Sequence, residues 1–216
     1  KYAVVRFAEN VVLAETARQE SHWDVVGTSR GSLIRAKNGA FRGWYLAADE
    51  SILPTDQIQA TVGFGSLRPA GPSRYARNLI LVERVTDSCY WKFEANESPP
   101  AAGARPQPAD TPSYSIRSAA GKYESWSLSF LPSYFPEQTG NARIAWNLIL
   151  VPPETPSYTP WRHEETLDGT LIRVASPGFK GWVLDYLEDA KVIERMIWEE
   201  VEPKQRQAPP LAHVVK

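Results

Sequence analysis

Cysteine is almost absent from this sequence, and so is any excess of charge of one sign. Cys89 is the single cysteine among 216 residues, which excludes an intramolecular disulfide and a zinc site built from cysteine pairs. The 24 lysines and arginines nearly balance 25 aspartates and glutamates, for a formal charge of -1. Without a positive surplus, neither nucleic acid nor an anionic membrane surface is an expected partner. No apolar run approaches the roughly 18 residues of a membrane-spanning helix, so membrane insertion is not expected.

Motifs of catalysis and metal binding are also missing. The histidines, His22, His163 and His213, have no G-x-S-x-G, Cys/His or H-E-x-x-H arrangement around them, and we interpret them as surface or strand-edge residues. Cys89 stands just before Trp91 in an apolar segment, which favours a small buried residue over a reactive thiol. Neither metal-ligand spacing nor a phosphate-binding glycine loop occurs. The sequence therefore predicts no enzyme, no cofactor and no metal ion.

An internal repeat is the strongest signal in the chain. In three copies, an Ile-Arg pair is followed by an aromatic residue seven positions after the Ile and by a tryptophan ten positions after it. The copies are Ile34-Arg35 with Phe41 and Trp44, Ile116-Arg117 with Tyr123 and Trp126, and Ile172-Arg173 with Phe179 and Trp182. Identical spacing in shared context, as in GSLIRAKNGAFRGWYL and GTLIRVASPGFKGWVL, indicates one structural unit used three times.

A second motif alternates with the first. It is a short apolar run that starts with an asparagine and is followed by a tryptophan 13 or 14 residues after that asparagine. Its copies are Asn10 with Trp23, Asn78 with Trp91 and Asn147 with Trp161, and a weaker copy joins Val192-Ile193-Glu194 to Trp198. Because these tryptophans follow apolar runs, we expect them in the core, with each indole N–H bound to a local acceptor.

Both motifs lie in segments typical of β-strands. The segments are rich in Val, Ile, Leu, Trp and Tyr and bounded by turn residues, and no window keeps helical spacing. We predict an all-β protein with a single domain over residues 1–202 and a polar tail over 203–216. The last unit is expected to contain the strands Thr170–Val174, Gly181–Tyr186, Ala190–Glu194 and Ile197–Val201. Residues 51–77, with an extra hairpin at Gln57–Phe64, and residues 95–112 are interpreted as surface insertions.

The four-strand units resemble those of the β-trefoil. Their successive strands have the form SLIRAKNG, WYLAAD, NLILVE and YWKFE, and the resemblance covers about residues 31–202. In that fold three units close into a barrel and cap, which removes exposed sheet edges. The chain is similar in layout to ricin-B-type lectins and mushroom trefoil protease inhibitors, although the lectins' Gln-x-Trp signature is absent. Residues 2–26 resemble part of a further unit, which either replaces or supplements barrel strands or belongs to a four-fold, propeller-like repeat.

The resemblance implies a carbohydrate-binding lectin as the first hypothesis. Sugar sites of trefoil lectins lie near the start of the second strand of each unit, where this chain repeats a tryptophan. An exposed indole would stack on a pyranose, and a nearby carboxylate would bind its hydroxyls. The candidate site residues are Trp44, Asp49, Trp126, Trp182, Asp185 and Asp189. Glycans or glycoproteins would be the partners, bound weakly at several sites at once. Alternatively, these tryptophans form a three-fold structural layer that closes the barrel.

A protease inhibitor of the mushroom trefoil kind is the second hypothesis. Such a protein would insert an exposed loop, from residues 95–112 or 66–77, into a protease cleft, and the rigid barrel would limit the entropy lost on binding. The long Pro-rich insertions favour this hypothesis. The compartment stays open, because a chain without disulfides fits a soluble cytoplasmic protein or one secreted without them.

Overall fold

Strands account for nearly all the regular structure in the part of the chain that the structure describes. The computed structural model describes residues 2–8, 11–49, 77–96, 112–130, 138–139, 142–153 and 159–198. Its strands are β1 (Tyr2–Ala8), β2 (Val11–Ala14), β3 (His22–Thr28), β4 (Gly31–Ala36), β5 (Tyr45–Ala48), β6 (Arg77–Val82), β7 (Tyr90–Ala95), β8 (Tyr114–Ser118), β9 (Ser127–Phe130), β10 (Gln138–Thr139), β11 (Ala142–Val151), β12 (Trp161–Thr166), β13 (Gly169–Val174), β14 (Val183–Tyr186) and β15 (Val192–Trp198).

Helical structure within these ranges is limited to three short 3-10 turns, Gln19–Ser21, Asp87–Cys89 and Pro177–Phe179. The all-β prediction is therefore confirmed. None of the described helical segments has the length and hydropathy needed to cross a membrane. The hairpin expected at Gln57–Phe64, most of the 95–112 insertion and the tail over 203–216 lie outside the described residues.

Six strands close into a barrel. Antiparallel pairing forms three hairpins, β3–β4, β7–β8 and β12–β13. Neighbouring hairpins are joined by the residue pairs Ser32–Trp91, Tyr114–Trp161 and Thr170–Trp23. Because the third junction returns to the first hairpin, this ring of strands has no unpaired edge.

A second layer of three strand pairs packs on the barrel. The pairs are β5–β6, β9–β11 and β14–β2. The first strand of each pair is attached to the barrel at one point, through Arg35–Tyr45, Arg117–Ser127 and Arg173–Val183. Strand β11 also pairs with β6 and β2, so this layer is held together as well. The barrel and this cap share one hydrophobic core cluster.

The N-terminal strands complete the third unit. Leu184 of β14 pairs with Leu13 of β2, just as Leu46 of β5 pairs with Leu81 of β6. The units are therefore β4–β5–β6–β7, β8–β9–β11–β12 and β13–β14–β2–β3, and the described strands form three units rather than four. The N-terminal segment replaces strands of the last unit.

The strands expected at Ala190–Glu194 and Ile197–Val201 are wrong. One continuous strand, β15, covers Val192–Trp198 and pairs along its whole length with β1. Together β15 and β1 form a ribbon outside the three units, attached to β6 through Phe7 and Ala8. The residue pattern correctly indicated that this segment forms β-structure. It could not show that the segment pairs with β1 and not with strands of the last unit, because the pattern of a strand does not specify its partner.

The tryptophans of the second motif hold equivalent places in the core. Trp23, Trp91 and Trp161 are at most 1% exposed. Their indole nitrogens donate to the backbone carbonyls of Leu184, Leu46 and Leu128 at 3.0–3.1 Å. In each unit, this bond joins the fourth strand to the second. The expectation of buried tryptophans with local acceptors is confirmed for these three, and Cys89 is fully buried as expected.

The turn before each repeated Trp offers a stability test. Its last residue has a positive φ in all three units: 87° at Gly43, 70° at Ser125 and 90° at Gly181. A side chain in this left-handed region costs roughly 1–2 kcal/mol, part of which is offset by the greater freedom of glycine in the unfolded chain. Ser125→Gly is therefore expected to raise the free energy of unfolding by about 0.5–1 kcal/mol, measured by urea denaturation.

The reverse substitution in the first unit is the matched control. A Cβ at Gly43 would meet no atom within 4 Å, so Gly43→Ser changes the backbone preference without a clash. It should lose about as much stability as Ser125→Gly gains. A Gly43→Ser protein as stable as the parent would contradict the backbone explanation.

Candidate ligand-binding site

The tryptophans predicted to bind sugar, Trp44, Trp126 and Trp182, are half-buried and pack on the core cluster. Each ring contacts the aromatic residue three positions before it. The centroid distances are 5.1 Å for Phe41–Trp44, 4.9 Å for Tyr123–Trp126 and 5.4 Å for Phe179–Trp182. The backbone N–H of each of these tryptophans also donates to the backbone carbonyl of that aromatic residue, at 2.9–3.1 Å. This placement favours the interpretation as a three-fold structural layer.

The carboxylates expected beside these tryptophans are largely inaccessible. Asp49 is 3% exposed and Asp185 is fully buried, so neither can reach the hydroxyls of a ligand on the surface. Asp185 lies in β14, where every residue is buried. The structure therefore does not support Asp49 or Asp185 as sugar ligands. Asp189 is exposed, in the segment between β14 and β15.

Asp185 instead forms an ion pair with Arg18, in which the carboxylate is buried and the guanidinium side chain is partly exposed. Its Oδ2 accepts from Arg18 Nη2 at 2.6 Å and Nε at 3.0 Å, and its Oδ1 accepts the N–H of Tyr186 at 2.8 Å. Burial raises the pKa of Asp185, and the Arg18 guanidinium opposes that shift. The equivalent positions in the other units are Ala47 and Ser129. Since the pair joins the N-terminal segment to β14, its evident role is to close the third unit.

The turns of the three barrel hairpins, β3–β4, β7–β8 and β12–β13, lie at the same end of the barrel, which we call the hairpin-turn end. Three aromatic rings contact one another near this end, those of Phe93, Tyr114 and His163, and we call them the ring cluster. Tyr114 and His163 stack at 5.1 Å between centroids with 24° between their planes. Phe93 meets both rings edge-on, at 6.5 Å and 6.2 Å. His163 is exposed, whereas Phe93 and Tyr114 are half-buried. The barrel therefore presents an aromatic surface to solvent at this end.

The period of two along a strand explains why these rings come together. Phe93 and His163 lie two residues beyond the buried Trp91 and Trp161, and thus on the same face of their strands. Tyr114 likewise lies two residues before the buried Ile116. The remaining equivalent positions have smaller side chains, Ser32 in the first unit and Val25 and Thr170 in the third. The three-fold symmetry of the core is broken in this layer, with the rings on one side.

Hydrogen-bonding groups accompany the ring cluster. The Thr170 hydroxyl donates to both carboxylate oxygens of Glu165, at 2.9 Å and 3.1 Å, and Glu165 is exposed two residues beyond His163. Neither the Tyr114 hydroxyl nor the His163 ring nitrogens form a hydrogen bond with any residue in the described part of the chain. The ring cluster thus combines aromatic surface with polar groups, and an amphipathic ring has the same combination of an apolar body and a polar edge.

The sequence did contain a signal for this cluster. In each repeat, the residue two positions after the core tryptophan and the residue two positions before the repeated isoleucine lie on the inward face of their strands. Phe93, His163 and Tyr114 are the bulky ring residues at these positions. His163 is exposed, as its interpretation as a surface residue predicts, but its contact with Phe93 and Tyr114 was not expected.

Comparisons with known proteins add no family to these observations. No protein-family model matches the chain, and no curated protein or solved structure matches it either. Among the residues that the structure describes, no group of three or more His, Cys, Asp and Glu side chains could hold a metal ion.

Proposed function

We propose that this chain is a β-trefoil protein that binds carbohydrate without catalysis, through the ring cluster. The trefoil interpretation is supported by the closed ring of six strands, by the three attached strand pairs, and by the equivalent Trp–carbonyl bonds of the three units. Closure of this kind leaves no exposed edges in the barrel. The proposal moves the sugar site from the repeated tryptophans to a single place at the hairpin-turn end.

The observation that carries the proposal is the exposed His163 ring stacked on Tyr114. A pyranose has an apolar C–H face that packs on an aromatic ring and hydroxyls around its rim. Glu165 and the nitrogens of His163 stand where such hydroxyls would need partners. A site of this size, open to water, gives weak binding: a dissociation constant on the order of 1 mM corresponds to about −4 kcal/mol. A few solvent-exposed hydrogen bonds and one ring contact supply that much.

A second candidate, protease inhibition, is favoured by the base of the 95–112 insertion. Asn96 donates to the Ser113 hydroxyl at 3.2 Å and accepts from the Ser115 hydroxyl at 3.3 Å. The Asn96 N–H also donates to the Ser113 carbonyl at 2.8 Å. Both ends of the inserted segment are thus fixed to the barrel, and a loop with fixed ends loses less entropy when it binds.

The same parent protein and variants can test both candidate functions. A glycan array followed by calorimetric titration of the best sugars tests the first candidate, with Tyr114→Ala and His163→Ala as the variants. We expect each to weaken sugar binding at least tenfold, because each removes a stacking ring. Val25→Ala is the matched control, since it truncates the equivalent position of the third unit and should bind as the parent does.

The same proteins are then assayed against trypsin and papain. Inhibition that survives Tyr114→Ala, but is lost when residues 98–111 are replaced by a Gly/Ser linker, would support the second candidate. A parent protein that binds no glycan on the array and none in titration would refute the carbohydrate proposal.

A further inference from the structure

The outer wall of the barrel carries one cross-strand pair of side chains per unit, and these pairs differ in charge. Each pair contains the repeated arginine: Asp24 opposite Arg35, Lys92 opposite Arg117, and Arg162 opposite Arg173. Directly opposite residues in an antiparallel pair have their Cβ atoms only about 5 Å apart. The first pair is therefore an ion pair, whereas the other two place like charges side by side.

The first pair shows that a carboxylate opposite the repeated arginine can form an ion pair with it. Asp24 Oδ2 accepts from Arg35 Nη2 at 2.8 Å, and its Oδ1 lies 3.8 Å from Lys37 Nζ. An acidic residue opposite the repeated arginine is thus compatible with the fold. Arginine at position 162 is not required for the barrel to form.

Arg173 already has partners. Its Nε donates to Glu164 Oε2 at 2.7 Å, and its Nη1 donates to the Gly181 carbonyl at 2.8 Å. These bonds hold its guanidinium against the barrel wall. Glu164 is more than half exposed and neutralises one of the two positive charges, so Arg162, Arg173 and Glu164 together have a net charge of +1.

Arg162 forms no such bond with any residue that the structure describes. Its Nε is buried, and within the described part of the chain nothing accepts a hydrogen bond from it. A buried donor without an acceptor costs about 1–3 kcal/mol, and a like charge directly opposite adds to that cost. Arg117 Nε in the second unit also has no aligned acceptor, but it lies 3.0 Å from Glu94 Oε2, whereas Arg162 forms no ion pair with a described carboxylate. The first unit avoids both penalties with Asp24.

We propose that Arg162 and Arg173 form a binding site for an oxyanion: a carboxylate, sulfate or phosphate group carried by a ligand. Such a group accepts hydrogen bonds from two guanidinium groups at once and offsets their repulsion. A turn of the Arg162 side chain toward Arg173 presents its Nε and Nη atoms to the anion, which gives the buried Nε its missing acceptor. The site lies on the opposite face of β12 from His163, so it is independent of the proposed sugar site.

Inorganic sulfate is the first probe, and the unfolding midpoint of the whole chain is the readout. Sulfate is titrated against sodium chloride at constant ionic strength in the parent, Arg162→Gln and Arg162→Asp. Since sulfate stabilises folded proteins in general, the difference between parent and variant is what counts. We expect the sulfate-dependent rise to be at least halved in both variants. Arg162→Asp, which copies the Asp24–Arg35 pair, should also be more stable than the parent in chloride alone.

Arg42→Ala is the matched control for Arg162→Gln, because Arg42 is an exposed arginine on the turn before Trp44 and both substitutions remove one positive charge. It should keep the full sulfate response. Titrations with phosphate and acetate distinguish a tetrahedral from a planar oxyanion, and a response to either that depends on Arg162 supports the site. Identical responses of the parent and Arg162→Gln to all three anions would overturn the proposal.

Discussion

Arg18→Thr is expected to lower the free energy of unfolding by about 3–5 kcal/mol, the cost of leaving a buried charge without its partner. Asp185 is fully buried, and Arg18 supplies two of its hydrogen bonds. Threonine is chosen because Thr86 begins the equivalent 3-10 turn of the first unit, where Arg18 begins that of the third. The substitution therefore removes the charge and keeps a side chain that this turn accepts.

Asp185→Ala alone should cost less. The Arg18 side chain is 32% exposed, so water can solvate its charge when the carboxylate is gone, whereas Asp185 has no such access. The double variant Arg18→Thr with Asp185→Ala copies the Thr86 and Ala47 positions of the first unit, and it should recover more than half of the loss caused by Arg18→Thr. Urea unfolding of the four proteins forms a double-mutant cycle.

The pH dependence of the cycle identifies the cause. With Arg18 gone, burial raises the pKa of Asp185 in the folded state further, because only its hydrogen bonds with the Tyr186 N–H and the Ser21 side chain still oppose that shift. A carboxyl whose pKa is higher in the folded than in the unfolded state contributes stability at low pH, and this is lost as the pH rises through the folded pKa. The deficit of Arg18→Thr should therefore shrink as the pH falls, and the double variant should lack this dependence. Additive losses at every pH would contradict the coupling.

Sequence alone was sufficient for the repeat and much of the core. Trp23, Trp91 and Trp161 follow apolar runs at nearly constant spacing, and the burial of an apolar residue depends mainly on such local patterns. The repeated arginines alternate with the buried isoleucines along their strands, and Arg35, Arg117 and Arg173 lie within ion-pair distance of Asp24, Glu94 and Glu164. These exposed pairs add little stability.

Features that depend on distant pairing could not be predicted. Strand β2 completes the third unit through contacts with β14, far along the chain, and an apolar strand fits any partner of similar length. The same closure buries Asp185: its position beside Trp182 suggested an exposed carboxylate, because the sequence does not reveal that Arg18 will meet it. The repeat positions of Tyr114 and His163 mark both as bulky residues, but their stacking depends on the contact of β8 with β12, which those positions do not reveal.

Gly31→Ala is expected to cost about 2–4 kcal/mol, from backbone strain together with overpacking. Gly31 begins β4 with a φ of 133°, where side chains are rarely found. A Cβ there would lie 2.8 Å from the backbone oxygen of Trp91 and 3.0 Å from the Cβ of Ala119. Neither atom can move freely, because Trp91 pairs with Ser32 at the junction of two barrel hairpins. Urea denaturation followed by far-ultraviolet circular dichroism measures the loss.

Substitutions at two further glycines show whether the loss of stability comes from crowding at the hairpin junction or from the positive φ of the residue. Gly169, with a φ of 130°, holds the equivalent place in the third unit, but a Cβ there would meet the flexible Lys37 Cδ at 2.8 Å and the Trp23 oxygen at 3.1 Å. Gly169→Ala shares the strain with a softer contact and should lose less. Gly27, in the same hairpin as Gly31, has open space around it, and Gly27→Ala should change stability by less than about 1 kcal/mol. Equal losses at Gly31 and Gly169 would assign the effect to φ alone, whereas a large loss at Gly27 would show that the hairpin tolerates no added side chain and would remove the junction argument.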